Sequence, residues 1–285
     1  MTESKTLRST RPFTELTTLT PVGDGVFSAH IDQIWTIGPK VHGGCMMAAC
    51  AAAARDAVRA AGGARELQPV AVSANYLSAP DPGDVRLTTT IRKQGRQVCL
   101  VDVELWQGER LAVSAAVTLG RPDVVEPRHR EPLALDALPA EPTAESSVIT
   151  EGHPMAEIVH VAKGCDLRVD PTAARFLTGE LGDPVNRMWA RPLAEDEADT
   201  DTAALFAIML GDISAPVTMN RGMFGWAPTV QLTTYLRRLP EPGWMRVMAS
   251  AQVLGDTWFE EDHLVLDSSG QVIVQSMQLA MIPKG

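Results

Sequence analysis

Asp212, Thr229 and Gln278 are the residues of this chain whose types suit the activation of a water molecule. A carboxylate can accept a proton from water, while a hydroxyl and an amide can orient that water toward an electrophilic carbonyl. Each has an ordinary explanation when taken alone: a helix-terminal aspartate turned to solvent, a strand threonine, a surface amide. What sets the three apart is that each stands where another copy of the same pattern carries an apolar residue.

The pattern is an internal repeat. Pro69-Val70-Ala71-Val72-Ser73-Ala74-Asn75-Tyr76-Leu77 matches Pro228-Thr229-Val230-Gln231-Leu232-Thr233-Thr234-Tyr235-Leu236 at a constant offset of 159 residues. Further on, Pro80-Asp81-Pro82-Gly83 answers Pro240-Glu241-Pro242-Gly243, and Gly95 answers Gly255, both at 160. Ser114 answers Ser276 at 162, with the extra length taken up in the turn Asp267-Ser268-Ser269-Gly270. Preserved order over a strand and a turn argues for a duplicated structural unit.

Duplication lets one half serve as a control for the other. The strand face expected to look inward carries Val70, Val72, Ala74 and Tyr76 in the first copy, and Thr229, Gln231, Thr233 and Tyr235 in the second. Gln278 answers Ala116, or Ala115 after a one-residue slip, and Asp212 falls near Ala53. Buried polar groups are costly unless something pairs with them, so three such replacements confined to one copy point to a site.

The elements that must position these residues are readable in outline. From Cys45 to Ala54 every side chain is apolar and nearly all are small, which predicts a helix buried on every side, preceded by Gly43-Gly44 and stopped by Gly62-Gly63. Ten apolar residues are too few to span a bilayer, which takes about 20. Residues 1–12 read as a frayed terminus, and residues 13–38 as a hairpin turning at Val22-Gly23-Asp24-Gly25. Strand patterns follow at 69–78, 85–93 and 98–119, the last folded back at Gln107-Gly108, and again at 157–168 and 186–192. A second helix is expected to start at Asp199, Thr200 or Asp201, to bury Ala203–Leu210 and to stop before Pro216. If it reaches Ser214, Asp212 lies on the face of Ile208 and Met209. Residues 121–142 hold five prolines among charges and alanines, a linker texture. The organisation expected is an α+β chain of two tandem antiparallel sheets, each wrapped around a long central helix, with units at 1–120 and 156–285 and a linker at 121–155.

Composition excludes several functions. A net charge of −10 disfavours non-specific binding of nucleic acid or anionic membranes. The N-terminal MTESKTLRST has no apolar core of the kind a secretory signal needs, so a cytoplasmic location is expected. Cys45, Cys50, Cys99 and Cys165 show no paired spacing, and disulfides are not expected. No GxSxG nucleophile elbow occurs, and His30, His42, Cys45 and Cys50 lack a recognised zinc-ligand spacing. His42 and Cys45 at a helix start could activate a thiolate, but uniformly apolar surroundings oppose ionisation.

On these residues the chain resembles the acyl-CoA thioesterase II family of double hotdog proteins. The resemblance rests on His42-Gly43-Gly44 with its small-residue helix, Met188-Trp189-Ala190-Arg191, the Pro-Thr-x-x-x-Thr strand ending Tyr235-Leu236-Arg237-Arg238, and Ser276-Met277-Gln278-Leu279-Ala280-Met281-Ile282. It implies a double hotdog fold and hydrolysis of an acyl-CoA to free acid and CoA, in fatty acid metabolism, without metal or other cofactor. The water-orienting Asp, Thr and Gln of the family fall on Asp212, Thr229 and Gln278, with Thr233 as the alternative hydroxyl. A homodimer or homotetramer is implied as well. The chain departs from the best-known bacterial members in having Gln231-Leu232 where they carry Asp-His, and Cys45 where an aromatic is usual. Gly43-Gly44 suits close approach to a thioester oxygen, and Arg191, Arg237 and Arg238 are candidates for the CoA phosphates. Asp32 and His42 are too far apart in sequence for the hotdog hydratase pair. The alternative from another class is a catalytically silent acyl-CoA or lipid-binding protein that keeps the fold.

Overall fold

The computed structural model describes residues 9–149, 152–153 and 155–284. Of residues 1–12, expected to be frayed, 1–8 lie outside the described residues, whereas Thr10 Oγ1 donates to Glu195 at 2.6 Å and Pro12 is buried at the start of a helix. From Pro12 the chain is helical, in α1 (Pro12–Thr17), where a strand was expected. Proline at the first helical position starts this turn, and the buried Asp196 carboxylate accepts the Phe13 and Thr14 N–H groups at 3.0 and 2.8 Å. Phe13 is thereby pinned edge-on against Trp35 and Phe206.

In the first half, β1 (Thr20–Gly23) and β2 (Val26–Ile31) form the hairpin, and a small ribbon of β3 (Thr36–Ile37) and β4 (Lys40–Val41) leads into α2 (Gly43–Ala60). Four strands follow: β5 (Gln68–Tyr76), β6 (Gly83–Gln94), β7 (Cys99–Gln107) and β8 (Arg110–Gly120). The second half holds β9 (Ser147–Val148), β10 (Cys165–Val169) and β11 (Val185–Pro192), then α3 (Ala194–Glu197) and α4 (Thr200–Met209). It ends with β12 (Thr229–Leu236), β13 (Met245–Ser250), β14 (Trp258–Leu266) and β15 (Val272–Met281).

Helix α2 is buried as its sequence demands. Every residue from Cys45 to Ala54 is at most 3% exposed, and the helix packs on β5, β6, β7, β8 and α4. Small side chains allow strands and a second helix to close on it from all sides. Gly62 follows its end with φ +81°, a left-handed conformation that glycine adopts freely.

The architecture differs from two separate sheets. Among the described residues, all strands but β3 and β4 join one 13-stranded antiparallel sheet, in the order β1-β2-β6-β7-β8-β5-β12-β15-β14-β13-β11-β10-β9. The halves meet where β5 pairs with β12, Ala74 opposite Leu232 and Val72 opposite Thr234. An unpaired strand edge exposes a row of N–H and C=O groups, and this junction satisfies one such edge on each half. The second helix is also shorter than expected. Asp199 caps it, its side chain accepting from the Thr202 N–H at 2.8 Å, but regular α geometry ends at Met209 and a 3₁₀ turn spans Leu210–Asp212. By length and composition the run Thr200–Arg221 would suit a bilayer crossing, yet it is broken by that turn and by Pro216 and is mostly buried within the fold.

The stretch expected as strand at 157–168 forms a 3₁₀ turn at His160–Lys163 and becomes strand only at Cys165. The proline-rich segment is packed against the second half. Leu135 and Leu138 are buried with Trp189, Trp244 and Leu266, and the carbonyls of Leu138 and Pro139 accept from Arg246 and the Trp189 indole at 3.0 and 2.8 Å.

Candidate active site

Helix α2 begins at the junction between the halves, and its N-terminus holds a carboxylate from the other half. Asp212 sits in the 3₁₀ turn after α4, a turn that packs on α2, β14 and β15. Its side chain is 10% exposed, and the neighbouring Gly44 N–H favours its ionised form. A Cβ on Gly43 would lie 2.5 Å from Asp212 Oδ2, so the close approach depends on glycine there. The first turn of a helix presents unpaired N–H groups and partial positive charge, which suits an anion. Gly43-Gly44 is thus brought to the site as a seat for Asp212.

His42 completes that seat. Its Nε2 lies 2.8 Å from the Asp212 main-chain carbonyl, which can only accept, so Nε2 carries the proton. The same nitrogen is 3.7 Å from Asp212 Oδ2. Nδ1 faces the Cys45 thiol at 3.5 Å. Cys45 is fully buried, and burial pushes its thiol well above the ordinary range, so it stays protonated and serves no thiolate chemistry. Burial also raises the Asp212 carboxyl above its ordinary value, against the opposing pull of His42 and the Gly44 N–H.

Thr229 and Gln278 are hydrogen-bonded to each other, the threonine hydroxyl donating to Gln278 Oε1 at 2.7 Å. The route by which Thr229 reaches the inner face is not the one expected. The buried face of β12 carries Leu232, Thr234 and Leu236, while Gln231 and Tyr235 are exposed. A bulge between Thr229 and Gln231 leaves Val230 unpaired and turns Thr229 back to the inner face, opposite the fully buried Ala280. Strand β5 has the matching bulge between Pro69 and Ala71. The structural offset is therefore 160, one residue more than the sequence match, and one residue reverses every side chain of a strand. Thr233 is left on the outer face, bonded to Ser73 across the junction at 3.0 Å.

The same ladders correct the partner of Gln278. Ser73 pairs with Ala116 and Thr233 with Met277, which makes Val117, not Ala116 or Ala115, the counterpart of Gln278. Asp212 has no counterpart at Ala53, since Ala53 lies inside α2 whereas Asp212 follows the helical part of α4.

Two further buried polar residues lie in this wall and were missed from sequence. Gln278 Nε2 donates to Glu261 Oε1 at 3.2 Å, and Glu261 Oε2 accepts the Val217 N–H at 2.9 Å. Ser214 Oγ lies 3.0 Å from both Glu261 Oε1 and His263 Nε2. Glu261 and His263 are 1% and 2% exposed. Burial pushes the Glu261 carboxyl up to about 8, with nearby Asp212 adding to the shift. Burial pushes the His263 imidazole down to about 3, with His42 adding to it. A signal for both was present. Asp102 pairs with Ala116 and Asp262 with Met277, so Glu261 and His263 answer the buried Val101 and Val103 of β7.

The arginines are not brought to this centre. Arg191 Nε donates to Asp166 at 2.8 Å, and its guanidinium lies 4.5 Å over the Trp244 ring, with β13 and β14 between its strand and that of Gln278. Arg237 donates to Gln275 at 2.9 Å beside Tyr235 on the outer face. Arg237 and Arg238 follow the end of β12 remote from Thr229, roughly 25 Å along the strand.

Residues 31–120 match the acyl-CoA thioesterase N-terminal domain and residues 134–282 the acyl-CoA thioesterase C-terminal domain. An uncharacterized protein of Mycobacterium tuberculosis is 47% identical over 273 residues, covering 90% of this chain and 91% of its own length. Among solved structures, a candidate thioesterase II of Thermobifida fusca superposes with a TM-score of 0.80 at 24% identity, over 95% of this chain and 97% of that one. A hot dog fold protein of unknown function from Alicyclobacillus acidocaldarius gives 0.75 at 15% identity, over 96% and 98%. At these identities the structural likenesses establish the α+β hotdog fold. The two domain matches, in tandem over most of the chain, place this protein in the acyl-CoA thioesterase family.

Proposed function

We propose that this protein hydrolyses an acyl-CoA thioester to the free acid and CoA by attack of a water molecule activated at Asp212. The observation that carries this reading is the meeting of the Asp212 carboxylate, raised in pKa by burial and seated on the α2 N-terminus, with a wall bearing the bonded Thr229–Gln278 pair. A raised pKa makes a carboxylate a stronger proton acceptor. In the proposed step Asp212 takes a proton from water as the oxygen attacks the thioester carbon, and CoA thiolate departs. Thr229 and Gln278 hold the water; no covalent enzyme intermediate forms.

The same reading treats the chain as a double hotdog, with an N-terminal unit at 1–120, the segment 121–155, and a C-terminal unit at 156–285. The matching bulges of β5 and β12 at an offset of 160 support the duplication. The first unit would supply the helix terminus and the second the reacting side chains. Thiol release from acyl-CoA substrates of graded chain length tests the activity. Turnover of at least one thioester is expected; binding without turnover would favour the silent binder.

A further inference from the structure

Gln278 can hold a water in a defined orientation only if its amide cannot turn over. The two ends of an amide have nearly the same shape, and their assignment follows from partners. Thr229 meets one end at 2.7 Å and Glu261 the other at 3.2 Å. Thr229 can donate or accept, so it does not fix the amide. Glu261 does, because its two oxygens are committed. Oε2 accepts the Val217 N–H, and Oε1, shared with Ser214, faces the amide. When Glu261 carries its proton, the Oε1–H can point to Ser214 Oγ, whose hydroxyl can in turn donate to the neutral His263 Nε2, so in either state Oε1 keeps a lone pair for the Nε2 end of Gln278 and leaves the amide oxygen toward Thr229.

Glu261 is itself held on every side. Ser214 comes from the turn two residues after Asp212, Val217 from the 3₁₀ turn that follows, and His263 from the same strand, 3.6 Å away. Its titratable neighbours are Asp212 on the turn and His263 on β14, with His42 of the α2 N-terminus next in line beside His263. A carboxyl with 1% exposure is a costly replacement for the valine that fills the matching place in β7. Core packing gives no reason for it; an orienting role does.

We propose that Glu261 is a positioning residue that fixes the amide of Gln278, acting on the reaction through that side chain alone. The inference rests on the thioesterase reading for its kinetic part. Glu261→Gln keeps size and fold but turns one oxygen into an NH2 group. With the remaining oxygen held by the Val217 N–H, the NH2 opposes Gln278 Nε2 and favours the flipped amide.

The test is a double-mutant cycle in which kcat and KM are measured for wild type, Glu261→Gln, Gln278→Ala and the double variant. Glu261→Gln is expected to lower kcat by about tenfold or more with KM within about twofold, and to have no further effect once Gln278 is alanine. An equal additional loss in the Gln278→Ala background, or an unchanged kcat in Glu261→Gln, would overturn the proposal. A second readout does not depend on turnover. The Gln278 side-chain amide resonance, assigned by its loss in Gln278→Ala, should move with the Glu261 proton near pH 8 and stay still in Glu261→Gln. Inactivity of the wild type toward every thioester would sink the functional reading only; a Gln278 amide indifferent to pH and to Glu261 would sink this one.

Discussion

The Gly43 α-carbon approaches the Asp212 carboxylate so closely that a methyl group there would stand 2.5 Å from Oδ2. The two residues belong to different halves, with β5 to β11 between them in the chain, yet each shapes the other. Glycine lets the carboxylate reach the helix end, and the helix end stabilises the ionised carboxylate that burial disfavours.

Gly43→Ala and Gly44→Ala should therefore behave differently. At Gly43 the obstacle is the end of a side chain, so Asp212 is displaced, with kcat expected to fall by about tenfold or more and little change in Tm. At Gly44 the obstacle is the Met209 main-chain oxygen at 2.5 Å, which cannot step aside. That variant should also lose about 1–3 kcal/mol of stability. Kinetics and thermal melts on both proteins check the contrast.

Thr229→Val should lower kcat by about tenfold while Thr233→Val leaves it within about twofold. Only Thr229 is turned inward by the bulge and bonded to Gln278, whereas Thr233 spends its hydroxyl on Ser73 at the outer face. Equal losses in the two variants would show that the bulge does not decide which hydroxyl serves.

Stability should respond to pH through Glu261 and His263, with opposite signs. Glu261 has a folded value of about 8 against 4.5 unfolded, so its contribution is complete below pH 4.5 and is lost as pH rises to 8. His263 has about 3 against 6.5, so its contribution is complete above pH 6.5 and is lost as pH falls to 3. Between pH 4.5 and 6.5 the two slopes cancel. From 6.5 to 8 only the Glu261 loss acts, on the order of 2 kcal/mol at about 1.4 kcal/mol per unit. Urea midpoints across this range should be flat and then fall, and Glu261→Gln should abolish the fall.

Arg191→Gln should leave KM for acyl-CoA within about twofold. Its charge is answered by Asp166 at 2.8 Å and its guanidinium rests on Trp244, away from the Asp212 centre. A tenfold rise in KM would place the nucleotide end of the substrate on that strand.

Apart from the repeat, what could be read from sequence was local. The small-residue run of α2, the start of α4 within Asp199–Asp201 and the hairpin of β7 and β8 depend on neighbours a few positions apart, and each lies where the pattern put it. The parity of β12 was out of reach, because the match of Pro69 with Pro228 runs one residue ahead of the structural register and only the ladder reveals the bulge. Glu261 and His263 were hidden for a related reason. They carry the same polar-for-apolar signature as Gln278, but that shows only once the offset of 160 aligns them with Val101 and Val103. The seat of Asp212 on Gly43 and Gly44 joins the halves and leaves no trace in either one alone.

Replacement of Asp212 by asparagine tests the account most directly, since it keeps the shape that fits against Gly43 and removes the proton acceptor. With the best acyl-CoA substrate at saturation, thiol release by Asp212→Asn should fall by at least about a hundredfold while the melting temperature holds or rises. Release at the wild-type rate from a folded Asp212→Asn protein would contradict it.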